Sequence, residues 1–172
     1  MSSYTIVVAP TLRTLRMRFI LFGRYRPEQH ASARQVFEQN GRSKRDFRVA
    51  SREDYWALLL DDTDRIVAEC TLSIQHGLFS TRVQSYYISD VYVPEAHRGR
   101  QYAVALILNA MYELTTNSPE PFPPFYLHAY RHNRSALRCY WKIFGEPIRV
   151  GRRLVTFSSH PPRLWMDTFL GR

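Results

Sequence analysis

The apolar positions along this chain follow two periods. From residue 54 to 93 they alternate with polar ones or form short apolar blocks, the pattern of strands. Asp54 to Leu60 and Arg65 to Gln75 read as two strands joined by the turn Asp61-Asp62-Thr63-Asp64. Those acids are turn formers, since they lack the glycine and closing glutamate of a calcium loop. After a connection over His76 to Thr81, Val83 to Val93 reads as a third strand, with Val91 and Val93 on one face and Asp90 and Tyr92 on the other. The period then changes. Ala103, Leu106, Ile107, Ala110, Met111 and Leu114 form one face of a helix over Gly99 to Asn117. A proline-rich break over Ser118 to Pro124 follows, then a short buried strand over Phe125 to Tyr130. Arg134 to Phe144 is a second amphipathic helix, with Ala136, Cys139, Tyr140, Ile143 and Phe144 on one side, stopped by Gly145 and Pro147. Pro147 to Ser158 and Arg163 to Phe169 read as two closing strands around His160-Pro161-Pro162.

The first 52 residues are less sharply patterned. Tyr4 to Ala9 reads as a strand stopped by Pro10. Leu12 to Gly23 fits both a strand, through Leu15, Met17, Phe19 and Leu21, and a helical stripe, through Leu12, Leu15, Phe19 and Phe22. Thr11 as N-cap and Gly23 beyond the end favour the helix. Pro27 to Asn40 reads as a helix with Pro27 in its first turn and Gly41 as its cap, and the polar stretch Gly41 to Arg52 as a loop. The order is β-α-α-β-β-β-α-β-α-β-β. It predicts an α/β (α+β) fold with one central mixed sheet, in a single domain spanning residues 1–172, with a basic segment at 1–52 and a core at 54–170.

Composition changes this picture in one respect, charge. The chain has 172 residues, 45% apolar and 23% charged, an ordinary globular mix. Its apolar runs fall short of a membrane span; Met17 to Phe22 is broken by Arg18. Cys70 and Cys139 are too few and too far apart for a disulfide scaffold or a zinc site. With no leader pattern at Met1 to Tyr4, a cytoplasmic location is expected. Residues 1–52 hold eleven bases against three acids, a surplus of eight, while the remaining 120 residues hold 13 against 12. Such one-ended charge suits an anionic partner; the other reading is a solvated face without one. The segment around Phe19 to Phe22 is either a homodimer surface or core. Arginine outnumbers lysine 22 to two, for which codon bias is the simpler explanation.

The candidate chemistry starts where the third strand runs into a helix, through Asp90-Val91-Tyr92-Val93-Pro94-Glu95-Ala96-His97-Arg98-Gly99-Arg100-Gln101-Tyr102-Ala103. A glycine-containing basic turn before a helix N-terminus is an anion cradle: the first helical N–H groups are free and the helix dipole adds positive potential. Arg98 and Arg100 add charge. About 30 residues later come Leu127-His128-Ala129-Tyr130, Asn133, Ala136, Tyr140 and Phe144-Gly145.

Together these segments resemble the GNAT superfamily of acetyl-CoA-dependent N-acetyltransferases. The family's Q/R-x-x-G-x-G/A signature is matched by Arg98-Gly99-Arg100-Gln101-Tyr102-Ala103. Its later N-x-x-A-x-x-x-Y-x-x-x-G/GF pattern reads here as Asn133, Ala136, Tyr140 and Phe144-Gly145. The resemblance covers about residues 54 to 170. It implies a GNAT-like, mostly antiparallel sheet flanked by helices, with a V-shaped splay at the cofactor site, and acetyl-CoA as cofactor. It further implies that the pantetheine arm pairs with the backbone of Val91, Tyr92 and Val93, and that the diphosphate lies on the turn from Arg98 through Gly99, Arg100, Gln101, Tyr102 and Ala103 to Val104. Asn133 would help position the cofactor and Tyr140 would protonate the leaving thiolate; the plainer reading of Tyr140 is a core aromatic.

Two departures stand out. Gln101 occupies the place of the signature's central glycine, which lets a phosphate approach the backbone closely. The glutamate that many members carry on the signature strand is also missing; Ser89-Asp90 stands in its place. Asp90 is the first candidate general base, Glu69 the second, and ordered water the third, with a structural hydrogen-bonding role as the alternative for both acids. His97 would solvate the turn or meet phosphate, and His128 reads as a core histidine rather than a base. The function expected is acetyl transfer to a primary amine, on a protein or a small molecule, by direct attack. Polycationic acceptors are disfavoured by the basic N-terminal third. The alternative is an impaired member of the fold that binds an anionic partner through that third. A nucleic-acid module ranks last, since the charge comes without a reader motif.

Overall fold

A computed structural model describes residues 17–78, 81–116 and 122–159. Among these residues, seven strands form one sheet in the order β1-β2-β3-β4-β5-β7-β6: β1 Arg18–Phe22, β2 Tyr55–Leu60, β3 Ile66–His76, β4 Val83–Tyr92, β5 Phe125–Tyr130, β6 Arg149–Val150 and β7 Leu154–Ser159. The helices are α1 His30–Gln39, α2 Lys44–Ala50, α3 Tyr102–Thr116 and α4 Arg134–Phe144. Every pairing is antiparallel except β4 with β5, which α3 joins by a crossover.

Both faces of the sheet are covered, by different helices. On one face α3 and α4 pack on Leu59, Cys70, Leu72, Ile88, Leu127 and Phe157. On the other, α1 and α2 bury Val36, Phe37, Phe47 and Ala50 against Ile20, Phe22, Leu58 and Leu60. Phe22 is the centre of that second core, with its ring 5.8 Å from Phe37, 6.0 Å from Phe47 and 6.5 Å from Trp56.

Covering on both faces explains the first difference from the sequence reading. The end of the ambiguous 12–23 segment is a strand, not a helix. A strand sandwiched between helices carries apolar residues on both sides, so Ile20, Leu21 and Phe22 run together and mimic a helical stripe. Gly23 is not a helix cap. At φ +141° it lies where an added Cβ would come within 2.7 Å of the Asp54 carbonyl oxygen. The strand expected at Tyr4 to Ala9 lies outside the described residues.

The stretch read as a loop over Gly41 to Arg52 contains α2. Ser43 and Asp46 form a reciprocal capping box: Asp46 N–H donates to Ser43 Oγ, and Ser43 N–H donates to Asp46 Oδ2. Seven residues carry too little periodicity to outweigh their charge in a sequence reading. The turn before it was legible. Gly41 N–H donates to the Glu38 carbonyl and Arg42 N–H to the Phe37 carbonyl, with Gly41 at φ +68°, a Schellman termination of α1.

At the other end, the closing hairpin is tighter than expected. Strands β6 and β7 turn at residues 151–153, inside the segment read as one strand. The second strand expected, Arg163 to Phe169, lies outside the described residues. Helix α3 begins at Tyr102, not at Gly99, because Gly99 and Gln101 both have positive φ and form the turn before it.

Candidate functional site

Strands β4 and β5 pair only over Tyr86–Ile88 with Phe125–Leu127. Beyond Ile88 the two part. The break begins at a bulge: Thr71 faces Ser89 while Glu69 faces Tyr92, so β4 has an extra residue here and Asp90 takes φ +51°. The bulge also switches the face that β4 presents. Tyr86 and Ile88 point into the α3–α4 core, and after it Val91 and Val93 do so. From Ser89 onward, β4 has a free backbone edge towards β5.

A groove of about 620 Å³ follows this edge on the α3–α4 side. Its walls are the end of β4 (Val91, Tyr92, Val93), the turn and first residues of α3 (His97, Arg98, Gly99, Gln101, Tyr102, Ala103, Val104), and α4 with the residue that caps it (Asn133, Ser135, Ala136, Arg138, Cys139, Tyr140, Lys142). Every residue expected to hold the cofactor lines it except Arg100, which is exposed outside it. Asn133 also caps α4, accepting from the Ala136 N–H at 3.1 Å. Arg138 and Lys142 went unnoticed in the sequence. Their spacing with Ser135, at offsets three and seven, was the available signal for a polar stripe facing the groove.

The groove fits an elongated ligand with an anionic head. The amides of Tyr102, Ala103 and Val104 have no carbonyl of their own helix to bond, and Arg98, Arg138 and Lys142 supply cationic walls. Arg98 Nε donates to the Val93 carbonyl, tying the turn to the end of β4. An added Cβ at Gly99, φ +80°, meets nothing within 4 Å, so the cradle is open. Gln101 keeps the left-handed conformation of the glycine it replaces, at φ +62°. Its Oε1 and His97 Nδ1, both in the groove wall, are buried with no hydrogen-bond partner among the described residues. Two buried polar atoms without a protein partner in the groove wall fit a polar ligand there.

Tyr140 stands at the inner end. It is buried, its ring 6.0 Å from Phe157, and burial pushes its phenol above the usual value, reinforced by Cys139, Cys70 and Tyr87. It therefore stays protonated through the neutral range. Burial likewise raises the thiol of Cys139, to about 11, and that of Cys70 further.

The opposite face of the sheet at this point is open. His128 alternates with the buried Leu127 and Ala129 and is exposed there, so it is not the core histidine the sequence suggested. Its Nδ1 lies 3.0 Å from Thr156 Oγ1, and its ring is 5.5 Å from Tyr87 and 6.0 Å from Tyr126. Partial burial raises the Tyr87 phenol, with Tyr126 and Asp90 adding to the shift. Asp90 sits at the mouth of the splay, where its Oδ2 accepts from Thr71 Oγ1 at 3.1 Å. Glu69 is committed elsewhere. It is buried, ion-paired with Arg42 through Oε1, and accepts from Trp56 Nε1 through Oε2 at 3.2 Å. Its geometry is that of a structural carboxylate.

The sequence matches the acetyltransferase (GNAT) family over residues 16–145. Among solved structures, Arabidopsis thaliana NAA60 in complex with a bisubstrate analogue superposes with a TM-score of 0.55 at 19% identity, covering 83% of this chain and 97% of that one. The same protein in complex with acetyl-CoA gives 0.52 at 18%, covering 84% and 99%. The NatC complex bound to Gag peptide and CoA gives 0.55 at 15%, covering 85% and 99%. No curated protein sequence matches significantly. At such identities the structural likeness is one of fold.

Proposed function

The chain belongs to the acetyltransferase (GNAT) family, and from that premise we propose that it transfers the acetyl group of acetyl-CoA to a primary amine by direct attack on the thioester. One observation carries the reading: the sheet opens between β4 and β5, with an anion-cradling groove on one side and a polar, aromatic face on the other. A pathway through the sheet separates donor from acceptor and lets them meet at the gap. The fold is one on which a peptide and CoA are bound together in the NatC complex.

Bound acetyl-CoA supplies an activated carbonyl with a thiolate leaving group. The turn amides of Tyr102, Ala103 and Val104, with Arg98, Arg138 and Lys142, would hold its phosphates, and the free edge of Val91–Val93 would hold the amide-bearing arm. Tyr140, kept protonated by burial, donates its proton to the departing sulfur. On the open face the carboxylate of Asp90 attracts the incoming ammonium. His128, held by Thr156, takes the ammonium's first proton on Nε2 and releases it to solvent, and the second proton, lost from nitrogen after attack, restores the one Tyr140 gives to sulfur.

Titration calorimetry with acetyl-CoA on the parent and on Arg98→Ala tests the groove, and an amine screen tests transfer. Micromolar binding weakened by Arg98→Ala, with acetyl transfer lost in His128→Ala, is the expected result. Failure of the parent to bind acetyl-CoA overturns the reading.

A further inference from the structure

Cross-strand partners in a sheet point their side chains to the same face. His128 pairs with Thr156, and Thr156 pairs with Arg149 on the neighbouring strand. The three therefore form a row on the open face, two strand spacings or roughly 10 Å from His128 to Arg149. The parity holds on the other face too: Val155, beside Thr156, is buried in the α3–α4 core. Arg149 is exposed, and it makes no ion pair among the described residues. A guanidinium fork thus stands on the same face as His128, with no carboxylate among the described residues to hold.

We propose that the acceptor is a peptide or protein N-terminus carrying a carboxylate side chain at its second or third residue, and that Arg149 selects it. The proposal rests on the acceptor-side reading of this face. Distance sets the class. The α-carboxylate of a free amino acid lies one residue's length from its amine, about 3–4 Å, well short of the roughly 10 Å between the two backbone positions, so it sits farther from Arg149 than a carboxylate two or three residues on. An extended peptide advances about 3.3 Å per residue, so an acidic side chain on the second or third residue reaches the fork. Charge sets the sign. Arg152 and Arg153 lie in the adjoining β6–β7 turn, and the first 52 residues carry a surplus of eight positive charges. A lysine in the acceptor's leading residues meets repulsion, whereas a carboxylate gains a bidentate, charge-assisted pair.

The test uses the full chain and three peptides identical except for Glu, Gln or Lys at the second and third positions. The readouts are kcat/KM for acetylation and calorimetric binding of each peptide in the presence of CoA. The parent should favour the Glu peptide over the Lys peptide by about tenfold or more. Arg149→Glu should invert that order while CoA affinity, set on the far side of the sheet, stays unchanged. Equal use of all three peptides, or an order that survives Arg149→Glu, overturns the proposal and leaves the acceptor face standing. If the protein binds CoA and acetylates none of the three, the acceptor-side reading falls and this proposal with it.

Discussion

Tyr140 and His128 stand on opposite sides of the sheet at the place where β4 and β5 part: Tyr140 in the groove under α4, His128 exposed on the far face. In the proposed reaction, this separation would put the proton donor in a buried environment and the proton acceptor in a solvated one. Burial raises the Tyr140 phenol, which keeps it protonated, while His128 is exposed.

If Tyr140 is the proton donor, Tyr140→Phe removes the proton and leaves the packing. The ring contact with Phe157 survives, so stability should change little. General acid catalysis contributes about 100-fold or more, so kcat should fall by at least that factor. The dissociation constant for acetyl-CoA should hold. Steady-state kinetics beside calorimetry separates the two, and an unchanged kcat removes Tyr140 from the chemistry.

The same phenol links folding to alkaline pH. A buried tyrosine with a raised folded value stabilises fully below about pH 10, the value of the unfolded phenol. That stability is lost as pH rises through the folded value. Tyr55, raised by burial to about 12, acts in the same direction. Cys70 and Cys139, whose thiols burial also raises, act from about pH 9. Urea midpoints measured from pH 8 to 12 should therefore begin to fall near pH 9 and fall more steeply above pH 10, with the steeper part reduced in Tyr140→Phe. Identical alkaline slopes for parent and variant would contradict the assignment.

Cys139 offers a probe of the groove that needs no turnover. Its thiol is raised to about 11 by burial, so at pH 8 only about a thousandth is thiolate. Alkylation by iodoacetamide should be slow in the apo protein and slower again when CoA fills the groove that Cys139 lines. Cys70, fully buried, should react only on unfolding. Mass spectrometry of labelled peptides reads both sites. Equal labelling of Cys139 with and without CoA would place the ligand elsewhere.

Much of this arrangement was legible in the sequence, because its main parts are local. The turn at Arg98–Val104 and the helix from Arg134 to Phe144 are continuous stretches whose capping and periodicity are written in adjacent residues. The order of element types read from the sequence coincides with the described one only through offsetting differences, since the strands expected at Tyr4 to Ala9 and Arg163 to Phe169 lie outside the described residues. The strand at Arg18–Phe22 was read as helix, α2 was read as loop, and the second closing strand was placed beyond Ser159. What depends on register was out of reach. The bulge at Asp90, the parting of β4 from β5 and the row from His128 to Arg149 arise from which strand lies beside which. A histidine between apolar neighbours looks like core until the helices are seen to cover the other face.

Gln101 is held where an L-residue is strained. The left-handed conformation costs roughly 1–2 kcal/mol for a side chain with a Cβ, and the buried Oε1 adds an unmet hydrogen bond. Gln101→Gly should raise stability by about 1 kcal/mol, after the entropy that glycine loses on folding. Gln101→Val should lower it, since a β-branched residue fits that region poorly. Denaturant midpoints decide, and a glycine variant less stable than the parent would mean that the side chain contributes more than the strain costs.

Glu69 provides the sharpest separation of a structural carboxylate from a catalytic one. Both of its oxygens are taken, one by Arg42 and one by Trp56, across the junction of β3 with the α1–α2 turn and β2. Removing one partner of a buried pair costs about 3–5 kcal/mol, and the lower end applies because Arg42 is about a quarter exposed, its side chain at 27%. Glu69→Ala should therefore unfold at markedly lower denaturant. The fraction that remains folded should keep the parent kcat, because both oxygens are engaged in a structural pair. The milder Glu69→Gln should lose less stability and the same lack of activity change should hold. A variant with parental stability and a collapsed kcat would return Glu69 to the catalytic machinery and displace His128 from it.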